Sequence, residues 1–194
     1  MWRSVVACMV LVCFLGGSCA YAVDMREDAA KWIMQLQSSD EQVRDDAVKK
    51  LLAVKDESSV HALADYMDYT FMNWRLKIEI MKFLGEMKHP RAVRSLAAVL
   101  ENETCPALKW HAARALGSFS GNKDAVHALI KALPSEEEPQ VREGIVLALG
   151  DLRDAEAVSI ILPFLNNKSF ALRNAAIRAL DQIGSPKALP ALRQ

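Results

Sequence analysis

The chain has 194 residues, 52% of them apolar, and its 24 basic and 24 acidic side chains balance to a formal charge of zero. That composition supplies enough apolar material for a sizeable globular core. It shows no basic field of the kind that draws nucleic acid, and no charged tail or low-complexity run.

The first element in chain order is a leader. MWRSVVACMVLVCFLGGSCAYA carries one positive charge, Arg3, then an apolar run from Val5 to Leu15, then small residues ending in Ala20-Tyr21-Ala22. This is the layout of a cleaved secretory signal over 1–22. The run is shorter than the roughly 20 residues a membrane span needs. The expectation is export, to a periplasm in the first instance. The alternative is a lipoprotein anchored through Cys19, and no other membrane contact is expected. Cleavage after Ala22 removes Cys8, Cys13 and Cys19 and leaves only Cys105, so no internal disulfide framework is expected. It also removes Arg3, which leaves 23 basic against 24 acidic residues, a net charge of −1.

Residues 23–39 read as a capping helix. Asp24 is placed as its N-cap with Glu27 in a capping box, and Trp32, Ile33 and Leu36 make its apolar face. From residue 40 onward the chain repeats itself. An apolar-basic pair recurs as Val43-Arg44, Leu76-Lys77, Leu108-Lys109, Val141-Arg142 and Leu172-Arg173, at steps of 33, 32, 33 and 31 residues. Seven residues after each basic member stands Leu51, Leu84, Leu116, Leu149 or Leu180, followed in the middle three by Gly85, Gly117 or Gly150. Further on come Val60, Val93, Val126, Val158 and Leu189, and three residues later Leu63, Leu96, Leu129, Ile161 and Leu192. Recurrence in this many columns marks an array of repeats.

Each repeat predicts two helices. In the first, Val141, Ile145 and Leu149 fall four apart on one face, and the glycine near its end is expected to ease the turn. The second starts after a capping column of Asp56, His89, Asn122, Asp154 and Ser185, with Pro90 and Pro186 at the first helical position. A single helix pair cannot bury both its faces, so neighbours must stack.

The last unit contains Leu172-Arg173-Asn174-Ala175-Ala176-Ile177-Arg178-Ala179-Leu180 and Ser185-Pro186-Lys187-Ala188-Leu189-Pro190-Ala191-Leu192. This resembles the short HEAT-like repeat first noted in phycobilisome lyases, V-R-x-x-A-x-x-A-L-G followed by D-P-x-A-V-P-x-L. The resemblance covers about residues 40–194. The expected fold is an all-α solenoid of about five two-helix repeats (40–70, 71–103, 104–136, 137–167, 168–194) with an N-terminal capping helix. The resemblance also implies that the second helices line a concave face.

On that face one column reads Tyr66, Val99, Ala132, Phe164, and its companion reads Ala62, Ser95, Ala128, Ile160, Ala191. Small and apolar residues on an exposed face suggest a groove for an apolar partner segment. Tyr69, Phe71 and Trp74, in the aromatic stretch between the first two repeats, are further candidates for partner binding. The basic column of Arg44, Lys77, Lys109, Arg142 and Arg173 is expected to bond along the grooves between repeats. His61 and His127 share a repeat position two units apart, too far for a common ion. No paired cysteines or acidic cluster offers ligands, so no metal, cofactor or catalytic group is expected. Cys105 lies beside Glu101 and Glu103, which argues against a reactive thiol. Asn102-Glu103-Thr104 and Asn167-Lys168-Ser169 are glycosylation sequons, relevant only in a eukaryotic secretory pathway.

These readings favour a non-catalytic scaffold or adaptor, not an enzyme, that binds a protein or peptide in an exported compartment and no nucleic acid. The alternative is a lyase or lyase-like subunit that binds a tetrapyrrole or another apolar small ligand.

Overall fold

Apolar residues three and four apart dictate helices, and all regular structure among the described residues of the computed structural model is helical; it describes residues 28–67 and 73–184. The leader, Asp24, Glu27, Tyr69, Phe71, Ser185, Pro186 and the second helix of the last repeat lie outside these residues. Two compact units divide at Val54 and Lys55.

In the first unit, α1 (residues 28–35) leads through a turn into α2 (Glu41–Val54). Ala29, Leu36, Ala47, Val48 and Leu51 are buried, and Lys50 Nζ stands 5.9 Å from the centre of the Trp32 ring. The buried Arg44 donates from Nη1 to the Ser38 carbonyl oxygen at 2.7 Å.

The second unit opens with α3 (Glu57–Tyr66). Two full helix pairs follow: α4 (Trp74–Met87) with α5 (Arg91–Asn102), and α6 (Pro106–Leu116) with α7 (Lys123–Ala132). Next comes α8 (Pro139–Leu152), whose partner is broken into a 3-10 turn (Ala155–Ala157), a short α9 (Val158–Ile161) and a second 3-10 turn (Leu162–Asn166). Pro163 explains the second break, after Ile161, because it has no N–H to continue the α-helical ladder. The last described helix is α10 (Phe170–Ile183).

First helices pack on first helices (α4 on α6, α6 on α8, α8 on α10), and second helices do the same, α3 on α5 and α5 on α7. This nearest-neighbour stacking is an α-solenoid. The stripes that drive it are fully buried: Ile80 and Leu84 of α4, Ala112 and Leu116 of α6, and Val141, Ile145 and Leu149 of α8. Each buried leucine or isoleucine contributes roughly 1.5–3 kcal/mol relative to exposure.

Capping sets where the second helices start. Asp56 accepts from the Ser59 N–H at 2.7 Å, Asn122 from Ala125 at 3.1 Å and Asp154 from Glu156 at 3.0 Å. His89 takes the same role through Nδ1, which accepts from the Arg91 N–H at 3.3 Å.

The glycines after the leucine column do something other than ease a turn. The left-handed turns fall later, at Lys88 (φ 52°) and Arg153 (φ 56°). Gly117 is right-handed at φ −61°, and what it provides is close approach. A Cβ there would lie 2.9 Å from the Ala148 Cα, and one on Gly150 would lie 2.6 Å from the Ala179 Cα. At Gly85 the contact, to Ala115, is looser at 3.3 Å. Glycine against alanine, one repeat on, is the seam along which first helices meet.

Candidate functional site

The second helices α3, α5 and α7 lie side by side, and a cleft of about 830 Å³ opens along them. Asp65 of α3 and Asp124 of α7 stand at its sides, and α5 supplies Arg91, Arg94, Ser95 and Ala98. These α5 residues are three and four apart, so one helical face carries two cations and a floor of small side chains. Arg91 is held by Asp65, with Nη2 at 3.1 and 3.0 Å from the two carboxylate oxygens. Arg94 is exposed and makes no ion pair among the described residues. The cleft therefore pairs an available guanidinium with small side chains, between two aspartates. That suits a flat ligand that carries a carboxylate.

A second cleft, of about 260 Å³, lies between the C-terminal halves of α5 and α7. Ala97, Ala128 and Ala132 line it, and Lys131 Nζ bridges to Glu101 Oε1 at 2.8 Å beside it.

The residues singled out from sequence divide on simple helical geometry. Tyr66, Val99, Ala132 and Phe164 each follow the buried leucine column by three residues, which is only about 60° short of a full turn. They remain on the apolar arc. Tyr66, Val99 and Phe164 are 8%, 6% and 9% exposed, so they are core residues and do not form an open binding surface. The Arg142 guanidinium lies 5.2 Å from the centre of the Phe164 ring. The companion column precedes the leucines by one residue, about 100° round. Its four described members, Ala62, Ser95, Ala128 and Ile160, are half-buried at the edge of the arc, and Ala191 lies outside the described residues. Ser95 lines the larger cleft and Ala128 the smaller, while Ala62 and Ile160 line neither. Trp74 is 56% exposed at the start of α4, with the Arg75 guanidinium 5.2 Å from its ring. Sequence reasoning did not select Arg91 or Asp65. The signal was present in Arg91, Arg94, Ser95 and Ala98, a polar face on a helix whose opposite face is Ala92, Val93, Leu96 and Leu100.

The basic column is occupied internally. Lys77 Nζ bonds Glu103 Oε2 and Lys109 Nζ bonds Glu136 Oε2, each at 2.9 Å. Arg173 Nη1 donates to the carbonyls of Asn167 and Lys168 at 2.8 and 3.0 Å. The Lys77 hydrogen bond outweighs burial and holds the Glu103 carboxyl below the usual range. At Glu136 burial pushes upward, but hydrogen bonds from the Glu138 N–H and from Lys109 prevail, and its carboxyl too is lowered.

The model for HEAT repeats matches residues 70–138, 94–169 and 126–194, overlapping windows that together span 70–194. The chain belongs to the HEAT-repeat family. It is 35% identical over 105 residues to the bilin biosynthesis protein PecE of Mastigocladus laminosus, a match covering 54% of this chain and 38% of that protein. The HEAT-repeat chain thus spans well under half the length of this curated relative. Among solved structures it is similar to the complex of CpcE and CpcF of phycocyanin lyase from Nostoc sp. PCC7120. The TM-score is 0.63 at 28% identity, over 82% of this chain and 66% of that one. An engineered protein shares the fold at TM-score 0.55 and 20% identity, over 86% of this chain and 84% of that one.

These relatives correct the expectation of a non-catalytic scaffold that is not an enzyme. One is named for bilin biosynthesis and the other for phycocyanin lyase. The similar solved structure is a complex of two proteins, which agrees with the expectation of a protein partner.

Proposed function

We propose that this HEAT-repeat chain is a bilin-lyase-like subunit that holds a linear tetrapyrrole in the cleft along α3, α5 and α7 and works with a second protein. The observation that carries this is the 35% identity to a bilin biosynthesis protein. The cleft supports it on chemical grounds. A linear tetrapyrrole is a long, flat, largely apolar molecule with two propionate carboxylates. The cleft, at about 830 Å³, has room for such a ligand. Arg94 offers a charge-assisted hydrogen bond to a propionate, and Ser95 and Ala98 leave the wall low enough for the flat ligand to lie against.

Titrating the protein with biliverdin while recording absorption tests the reading. A saturable shift of the tetrapyrrole bands is expected, weakened about tenfold or more by Arg94→Glu, in line with the loss of a charge-assisted contact. A spectrum that does not change at saturating protein would sink it.

Export is a separate proposal, and it argues against a cytosolic phycobilin role. It is supported by the charged start, apolar run and Ala20-Tyr21-Ala22 ending of residues 1–22. Intact-mass measurement of the protein recovered from cells should show Val23 as the first residue; an uncleaved chain would oppose it.

A further inference from the structure

Repeat spacing alone pairs His61 with His127 and leaves no metal site. The fold pairs His61 with a different histidine. His89 sits where other repeats place a capping Asp or Asn, and its ring meets that of His61 edge-on, with centroids 4.9 Å apart and planes at 66°. Glu57 is one helical turn before His61 on α3. Its Oε1 lies 3.5 Å from His89 Nε2 and 3.9 Å from His61 Nε2. One ligand atom from each of the three residues falls within 4.8 Å of the others.

These separations are long for hydrogen bonds, which run about 2.7–3.2 Å. They are close to what a shared ion needs. Zinc binds imidazole nitrogen and carboxylate oxygen at about 2.0–2.2 Å, which sets tetrahedral neighbours about 3.3–3.5 Å apart. Glu57 is exposed and both rings are half-exposed, so small rotations can bring the three atoms inward. Two imidazoles and one carboxylate suit zinc, copper or nickel, whereas calcium and magnesium prefer all-oxygen shells. Binding through His89 Nε2 requires a proton on Nδ1, so the 3.3 Å bond from the Arg91 N–H would be given up. That bond is already long, which keeps the cost small. Arg91 is engaged with Asp65 at 3.0 Å, so its charge is partly neutralised near the site.

We propose that Glu57, His61 and His89 bind a divalent transition-metal ion of the zinc type, with water filling the open positions. The ion would tie α3 to the turn between α4 and α5, next to the cleft that Asp65 and Arg91 line. The proposal does not depend on the bilin reading. His127 provides an internal control: its Nε2 lies 3.2 Å from Glu156 Oε1, with no second imidazole in the group.

The test is competition between the full chain and a chromophoric zinc chelator, with the cysteines alkylated beforehand so that thiols cannot ligate. NMR of the imidazole nitrogens identifies the ligands. One equivalent of zinc should bind, with shifts confined to His61 and His89. His61→Ala and His89→Ala should each weaken binding at least tenfold, and His127→Ala should leave it unchanged. Circular dichroism of each variant checks that it is folded. The proposal is overturned if no stoichiometric binding occurs, if both histidine variants bind zinc as the parent does, or if zinc shifts other histidines instead.

Discussion

Lys109 and Arg142 stand at the same position one repeat apart, yet they are held differently. Lys109 reaches Glu136 Oε2 at 2.9 Å, and Glu136 Oε1 accepts from the N–H groups of Glu137 and Glu138 at 3.0 Å. One buried carboxylate thus fastens α6 to the loop that begins α8. The loop ahead of α10 reads Asn167-Lys168-Ser169 and offers Arg142 no acid. Its guanidinium rests on Phe164, and its buried Nε has no hydrogen-bond partner. The helices repeat and the fastenings vary, so the loop residues decide how tightly each repeat is tied to the next.

The largest break in this comparison should come from the seam beneath the fastenings. Gly150→Val drives a branched side chain into Ala179, where even a Cβ would sit 2.6 Å from the Cα. A loss of about 3 kcal/mol is expected, since overpacking costs roughly 1–3 kcal/mol and sometimes more. Gly85→Ala meets its neighbour at 3.3 Å. There a gain of helix propensity of up to about 1 kcal/mol offsets the crowding, so little change is expected. Urea unfolding of both variants checks the order, and equal losses would contradict it.

Removing the carboxylate fastening should cost less. Glu136→Ala leaves Lys109 and two backbone N–H groups without their acceptor, a loss of about 2–3 kcal/mol. The pH dependence has a definite sign. The folded carboxyls of Glu136 and Glu103 titrate below the ordinary glutamate value of 4.5. Their contribution is therefore full above about pH 4.5 and fades as pH falls through the lowered values. The parent should lose more stability between pH 5 and 3 than Glu136→Ala does, and parallel acid profiles would count against the account. The smallest effect is expected at Arg142→Ala, about 1 kcal/mol for a partly buried cation over a ring. Thermal unfolding that placed it level with Glu136→Ala would erase the contrast.

The fold was legible because columns such as Leu51, Leu84, Leu116, Leu149 and Leu180 return at the length of a helix pair, and only stacking buries them. The site was less so. Whether Val99 faces solvent depends on the width of the apolar arc, which the spacing of Leu96 alone does not give. The proximity of His61 to His89 arises from α3 packing against the start of α5, an angle that register counting does not contain. The expectation that Gly117 eases a turn followed from propensity, whereas Ala148, 31 residues on, is what requires it. The lyase alternative was legible only through the resemblance of the repeat motif, because Arg91 and Arg94 also read well as an ordinary solvated face.

The glycine–alanine seam also bears on how such a chain can change over generations. At Gly117 and Gly150 neither partner can grow alone, since a methyl group on Gly117 meets the backbone of the helix bearing Ala148. A lineage that enlarges one of these positions must first shift the neighbouring helix outward, and that helix carries Gly150, which faces the same demand from Ala179. A change at the Gly117 seam is therefore transmitted to the Gly150 seam, and what the two together hold constant is the distance between repeats.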